Sequence, residues 1–493
     1  MVIFMTTEFE TKKRLIFCFD GTWNSLDKGH VTNVGITAQS IAPVGRDGLQ
    51  QIIYYDEGVG NARHGANWVV EKMEKWGGGL LGNGLLANLA EAYKFLIFNY
   101  RPGDEIFIFG FSRGAFSARS FTGLIRSCGI LRRSHAEKIS QAIENYRNLR
   151  LDNPKQAEQL AAFRFEHARD TCVDEEDIQW RCKRYPDDFD PDSAQLLSIK
   201  YLGVWDTVGS LGIPNHWGVS KLFNHKYRFH DTRLSTFVEH ARHAVAIDER
   251  RKSFIATLWD NVPDMNSSRG FEPGNPKAPY QEVWFPGTHG SVGGGGGIRG
   301  LSDEALNWVL SGAKLLELTL DTDRDAEAFS IKPDYTAPLV NVDPKKPKKI
   351  MSRMMGLLPK TDRKPGPSAL HQVSRSAKFR WAAPADQLPE KEAYRPAVLD
   401  DVSSQLDDWA AHNDSASDTS ATSIEVRIHI VVKGDSLFAI AKEHYGDGQY
   451  YKALFKFNSP PLTNEDEIHV GQEIKLPEKS VLDDILASKD ASS

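Results

Sequence analysis

Gly110-Phe111-Ser112-Arg113-Gly114 constrains this chain more than any other stretch. It follows Glu105-Ile106-Phe107-Ile108-Phe109, a short apolar run of buried-strand character, and precedes residues 115–121, which read as a helix. A Gly-x-Ser-x-Gly pentapeptide at a sharp strand-to-helix turn lifts a serine hydroxyl clear of the backbone, and its glycines relieve the crowding of the bend. Chance matches to five residues are common. In its strand–turn–helix setting the pattern points to Ser112 as a nucleophile, against the plainer alternative of a Gly-rich turn.

Further apolar runs repeat the theme. Residues 15–19 end in Asp20-Gly21-Thr22-Trp23-Asn24, and 51–55 lead into a Gly-rich loop. Residues 199–205 end in Asp206-Thr207-Val208-Gly209, and 283–285 end in Pro286-Gly287-Thr288-His289. Apolar strands alternating with helical segments predict an α/β fold with a mostly parallel sheet covered by helices on both faces. Leu85, Leu89, Tyr93 and Leu96 keep helical spacing, so residues 77–100 read as an amphipathic helix; Asn83, Asn88, Glu91 and Lys94 argue against a membrane span there. Residues 134–192 read as a polar helical insertion. The expected organisation is a catalytic domain over 1–400, a flexible linker over 401–423, a small domain over 424–479 and a tail over 480–493.

The net charge of −6 gives no global bias toward nucleic acid. Four cysteines, Cys18, Cys128, Cys172 and Cys182, show no metal-type spacing and are too few for a disulfide scaffold. The first fourteen residues lack a signal-peptide core. The expected product is made in the cytoplasm, and any action elsewhere requires a carrier other than the general secretory route.

A serine hydroxyl needs a base to take its proton, and the base needs an orienting acid. Strand ends supply Ser112, Asp206 and His289, the Ser–Asp–His chain order of α/β-hydrolases. Side chains just past the carboxyl ends of parallel strands converge on one edge of the sheet. Asp248 is a rival acid, and a turn carboxylate or a loop histidine is the bland reading of the other two. An oxyanion hole is expected from the N–H of Arg113 and a second N–H in the Gly21-Thr22 loop. This chemistry calls for neither metal nor cofactor.

Phe19 to Asn24, Tyr54-Tyr55-Asp56-Glu57-Gly58-Val59-Gly60, the stretch from Gly110 to Arg119, Val204 to Gly209, Ala246 to Arg250 and Phe285 to Gly295 occur in an order that resembles the DUF2235 α/β-hydrolase family. That family includes type VI secretion phospholipase effectors of the Tle1 kind. The resemblance implies a Ser–Asp–His esterase acting on glycerophospholipids, with Ser112, Asp206 and His289 as triad. One departure stands out. Where the family follows its histidine with x-Asp-Val-Gly-Gly, this chain has Gly290-Ser291-Val292-Gly293-Gly294.

The tail resembles a LysM module: Ile430 to Leu437, Ile440-Ala441, Tyr445-Gly446-Asp447, Asn458 and Ile474 to Pro477. Ser436 suits an N-cap, and the pattern gives a β-α-α-β unit. The resemblance implies binding of N-acetylglucosamine-containing glycans such as peptidoglycan, through Gly434, Asp435, Ser436, Leu437 and Asn458. Docking to a protein is the alternative. Between the two domains, Lys345, Lys346, Lys348 and Lys349 lie close to Met354, Met355 and Leu357. Cations beside apolar groups suit an anionic bilayer surface, or else form a solvated loop packed on the hydrolase.

The leading expectation is an antibacterial phospholipase A of type VI secretion, delivered to a target-cell periplasm or outside the cell. Its partners are then a phospholipid membrane, peptidoglycan, a secretion carrier and an immunity protein. A hydrolase of soluble or cell-wall esters is the second reading, and a non-catalytic glycan-binding or adaptor protein the third.

Overall fold

The computed structural model describes residues 12–21, 30–57, 80–150, 153–209, 233–252, 254–321, 330–342, 361–413, 427–431, 434–458, 468–469, 472–477, 479, 482 and 486. The chain forms two compact units, Met1–His412 and Asn413–Ser493.

The first unit is an α/β fold around a six-stranded sheet whose neighbours all run parallel. Its strands are β1 (Lys13–Phe19), β2 (Gln50–Asp56), β3 (Glu105–Phe111), β4 (Ile199–Trp205), β5 (Val238–Ala246) and β6 (Tyr280–Phe285), in the order β2-β1-β3-β4-β5-β6. The order reverses at β1, and the loops after β1 and β3 therefore part at the carboxyl edge, where such sheets hold ligands.

Alternation along the strands builds two cores. Leu15, Phe17, Ile106, Ile108, Leu202 and Val204 face helices α2 (Leu80–Asn99) and α3 (Arg113–Cys128). Ile16, Cys18, Phe107, Phe109, Tyr201 and Trp205 face α1 (Asn33–Ser40) and the helix Gly300–Lys314. Leu85, Leu89, Tyr93 and Leu96 are all buried, as their spacing predicts. The helices Ile139–Arg147, Pro154–His167 and Glu175–Arg184 fall within the span read as an insertion, and Ile143, Tyr146, Leu160 and Phe163 join the first core.

A third cluster closes the β6 side. Val373, Trp381, Tyr394, Leu399, Val402 and Leu406 pack against Val245 and Trp284. The expected linker over 401–423 therefore begins too early: Val402 and Leu406 belong to this cluster, and the helix Ser403–Asn413 runs to the border of the first unit.

The second unit pairs β7 (Arg427–Ile430) antiparallel with β8 (Glu473–Leu476) around helices α4 (Leu437–Tyr445) and α5 (Tyr451–Phe457), the expected β-α-α-β order. Ser436 caps α4, its hydroxyl accepting from Ala439 N at 3.1 Å. Among the described residues, no helix is long and apolar enough to cross a membrane.

Candidate active site

Strand β3 runs straight into α3 through Ser112, whose backbone sits at φ 60° and ψ −122°. A non-glycine residue at positive φ is strained, and the surroundings must hold it. Here Ser112 N donates to Trp205 O at 3.0 Å, and Phe116 N reaches Ser112 O at 3.3 Å. The glycines make room. A Cβ at Gly114 would overlap the carbonyl oxygens of Phe19 and Asp20, and one at Gly110 would come within 2.6 Å of Gly114 O. The bend therefore nests against the end of β1. Arg113 opens a 16-residue helix, so its N–H lies at the positive end of the helix dipole, beside the serine.

The adjoining strand ends complete the cluster. His289 Nε2 is 2.8 Å from Ser112 Oγ, and His289 Nδ1 is 2.5 Å from Asp206 Oδ2. A carboxylate only accepts, so Nδ1 carries the proton and Nε2 offers its lone pair to the serine hydroxyl. All three residues are buried. Phe111 and Phe254 flank the imidazole at ring-centroid distances of 4.6 and 4.7 Å. Gly293 lets Phe111 lie there, because a Cβ at 293 would strike the phenyl ring.

Asp206 accepts four hydrogen bonds from three groups. Besides His289, its oxygens accept from Ala246 N at 2.9 Å and from both terminal nitrogens of Arg363, at 2.5 Å to Oδ1 and 2.9 Å to Oδ2. Arg363 is itself buried and donates to Ala246 O and Phe254 O. Burial alone would raise the Asp206 carboxyl; the charge and hydrogen bonds of Arg363, followed by those of His289, hold it well below the usual carboxylate range. Nothing in the sequence pointed to Arg363. It lies in a Pro-rich, charged stretch, 157 residues beyond its partner.

The rival acid has other work. Asp248 Oδ2 accepts from Gly287 N at 2.7 Å and from the Tyr394 hydroxyl at 2.8 Å. Burial pushes its carboxyl up to about 6 despite those bonds. It lines a cavity of about 360 Å³ with Arg250, Glu390 and Tyr394. Its neighbour Glu249 accepts from His289 N at 3.2 Å and pairs with Arg251. Asp20 ties its loop together, accepting from Thr32 Oγ1 at 2.6 Å and from the Tyr55 hydroxyl at 2.7 Å. Gly21 N, expected at the oxyanion, donates instead to Asp20 Oδ1 at 2.6 Å. Thr22 lies outside the described residues, as do Lys345, Lys346, Lys348, Lys349, Met354, Met355 and Leu357.

Residues 13–312 match the family described as "T6SS, Phospholipase effector Tle1-like, catalytic domain", and residues 429–477 match the LysM domain. The first match spans more than half of the chain. The chain belongs to the Tle1-like phospholipase-effector family. This Tle1-like chain is similar to an uncharacterized protein of Saccharomyces cerevisiae, 29% identical over 257 residues, which are 51% of this chain and 33% of that one. Its tail is similar to the potassium binding protein Kbp of Escherichia coli, 38% identical over 53 residues, 11% of this chain and 36% of Kbp. Among solved structures, an uncharacterized protein from Pseudomonas aeruginosa aligns at 18% identity and a TM-score of 0.34, covering 66% of this chain and 49% of that one. A Tle1 effector bound to the VgrG spike of the type 6 secretion system aligns at 16% identity and a TM-score of 0.26, covering 57% and 51%. The chain spans about a third of the length of the curated relatives it matches, and about half that of the solved chains.

Two residues past the histidine, where the resemblance leads one to expect an aspartate, Ser291 donates to Leu339 O at 2.7 Å and lies 3.2 Å from Thr288 Oγ1. It fastens the histidine turn to the loop behind it. In the LysM unit, Leu437 is buried in the core. The Asn458 amide bridges Leu454 O and Lys475 O and accepts from Lys475 N. Both side chains are therefore structural; in the turn before them Gly434 and Ser436 are exposed, and Asp435 is half-buried against His429.

Proposed function

We propose that this chain is a serine esterase that hydrolyses acyl ester bonds of glycerophospholipids, as a phospholipase A delivered by type VI secretion. The single observation behind this is the His289 imidazole, bonded through one nitrogen to Ser112 Oγ and through the other to Asp206. His289 Nε2 takes the hydroxyl proton as Ser112 Oγ attacks the ester carbonyl carbon. The carbonyl oxygen becomes an oxyanion beside Arg113 N–H and the positive end of α3. Collapse breaks the ester bond, and His289 returns its proton to the leaving glycerol oxygen. Water, deprotonated by the same imidazole, then releases the fatty acid from Ser112.

Support for a lipid substrate comes from family membership and from exposed apolar side chains around the site. Ile255 follows Phe254, and Val340 and Val342 flank Asn341, whose amide donates to Gly290 O. The lysine-rich segment over 345–349 is the proposed contact with anionic bilayers. A spike protein as carrier, an immunity protein in the producing cell, and peptidoglycan at the LysM turn complete the reading.

Phospholipid vesicles treated with the full chain should yield free fatty acid and lysophospholipid by mass spectrometry. Ser112→Ala should lower the rate by at least about 10³-fold and abolish labelling by a fluorophosphonate. Labelling that survives in Ser112→Ala would sink the assignment.

A further inference from the structure

The C-terminal unit carries a cluster, His429, Glu443 and His444, outside the residues assigned to glycan binding. Strand β7 sets His429 beside the last turn of α4, where Glu443 and His444 are consecutive. His429 Nδ1 is 3.0 Å from His444 Nε2, and the donor atoms of His429, Glu443 and His444 all lie within 4.8 Å of one another. The second nitrogen of His429, Nε2, is 2.7 Å from Asp435 Oδ2. A carboxylate accepts, so Nε2–H donates and Nδ1 of the neutral ring turns its lone pair toward His444. Metal-bound imidazoles are held in this way, the distal N–H given to a carboxylate that fixes tautomer and orientation.

We propose that His429, His444 and Glu443 form a binding site for a divalent transition metal ion, Zn²⁺ by ligand set, with Asp435 as the outer carboxylate. Two imidazoles and one carboxylate suit Zn²⁺, whereas hard cations such as Ca²⁺ and Mg²⁺ take oxygen shells. Nitrogens bound tetrahedrally to Zn²⁺ at about 2.0–2.1 Å stand about 3.3 Å apart. The two rings therefore need to open only slightly to admit the ion. Glu443 is exposed, which leaves the fourth position to water. The ion would fasten β7 to α4 and, through Asp435, hold the turn that leads into Ser436 and the helix cap.

The test titrates Zn²⁺ alone into the full chain, stripped by a chelator, against a chromophoric competitor; Co²⁺ absorption reports the coordination. One tight equivalent, intense tetrahedral Co²⁺ bands and a Zn²⁺-dependent rise in the melting temperature of the second unit are expected. All three should vanish in the His429→Ala/His444→Ala double variant. Asp435→Asn should weaken Zn²⁺ by about 10–100-fold, and Glu443→Gln at least as far. Zn²⁺ uptake by the double variant equal to that of the native chain, or weak octahedral Co²⁺ bands in the native chain, overturns the site in favour of a plain hydrogen bond between the rings. If the double variant does not fold, Glu443→Gln decides, because its side chain is exposed: unchanged affinity there overturns the three-ligand site.

Discussion

The turns after β4 and β5 each place a carboxylate at the carboxyl edge of one sheet, yet the two groups live differently. Asp206 meets a guanidinium, an imidazole and a backbone N–H, and stays ionised. Asp248, two residues past the end of β5, meets a phenol and a backbone N–H, and burial pushes it up to about 6. Position at a strand end thus does not fix the charge of a carboxylate. A close, bidentate cation keeps it ionised, because the cation offsets the desolvation that would otherwise protonate it.

The hardest blow to this contrast is to swap the charges off. Asp206→Asn should lower kcat on a soluble ester by about 10⁴-fold, since the amide favours the wrong tautomer of His289. Asp248→Asn should leave kcat within about 10-fold, because both bonds to Asp248 reach one oxygen that an amide can supply. Comparable losses at both positions would break the contrast.

Arg363→Met should destabilise the fold by about 3–5 kcal/mol in urea, since it strands Asp206 in the interior without its cation. The depressed Asp206 carboxyl gives stability that is full above its unfolded value near about 4 and fades as pH falls below it. Arg363→Met should accordingly flatten the acid limb of the native stability curve. An unchanged urea midpoint would mean that the guanidinium contributes nothing net.

The smallest effect belongs to Asp248, and its sign is opposite. Its folded carboxyl binds a proton that the unfolded chain releases, so its contribution is present below about pH 4 and is lost as pH rises toward 6. The loss is at most about 3 kcal/mol, less where solvent enters the cavity. Asp248→Asn should remove that decline. A native curve flat between those pH values would show that the carboxyl is not raised.

Ser112 and Asp206 were legible because each directly follows an apolar run, and His289 because it follows one after a short turn; the sheet then brings the three side chains together. Strand β5 was not. Glu239, His240, Arg242 and His243 interrupt its apolar character. Their reasons are tertiary: His243 Nε2 accepts from Thr207 N while its Nδ1 meets Glu282, and Arg242 donates to Trp308 O. Arg363 was hidden for the same cause, as a cation whose partner lies on another element. The pairing of His429 with His444 likewise crosses from strand to helix, and no spacing rule for metal ligands covers it.

Arg363 also bears on where the enzyme ends. The family match stops at 312, yet the guanidinium that steadies Asp206 sits at 363, and Trp381, Tyr394 and Leu406 brace the sheet from still farther along. A fragment trimmed to the matched span would keep every reacting atom and lose the keystone of the arch beneath them. The compact unit that holds this arrangement extends to residue 412, so on the proposed reading a working fragment needs the chain to that border.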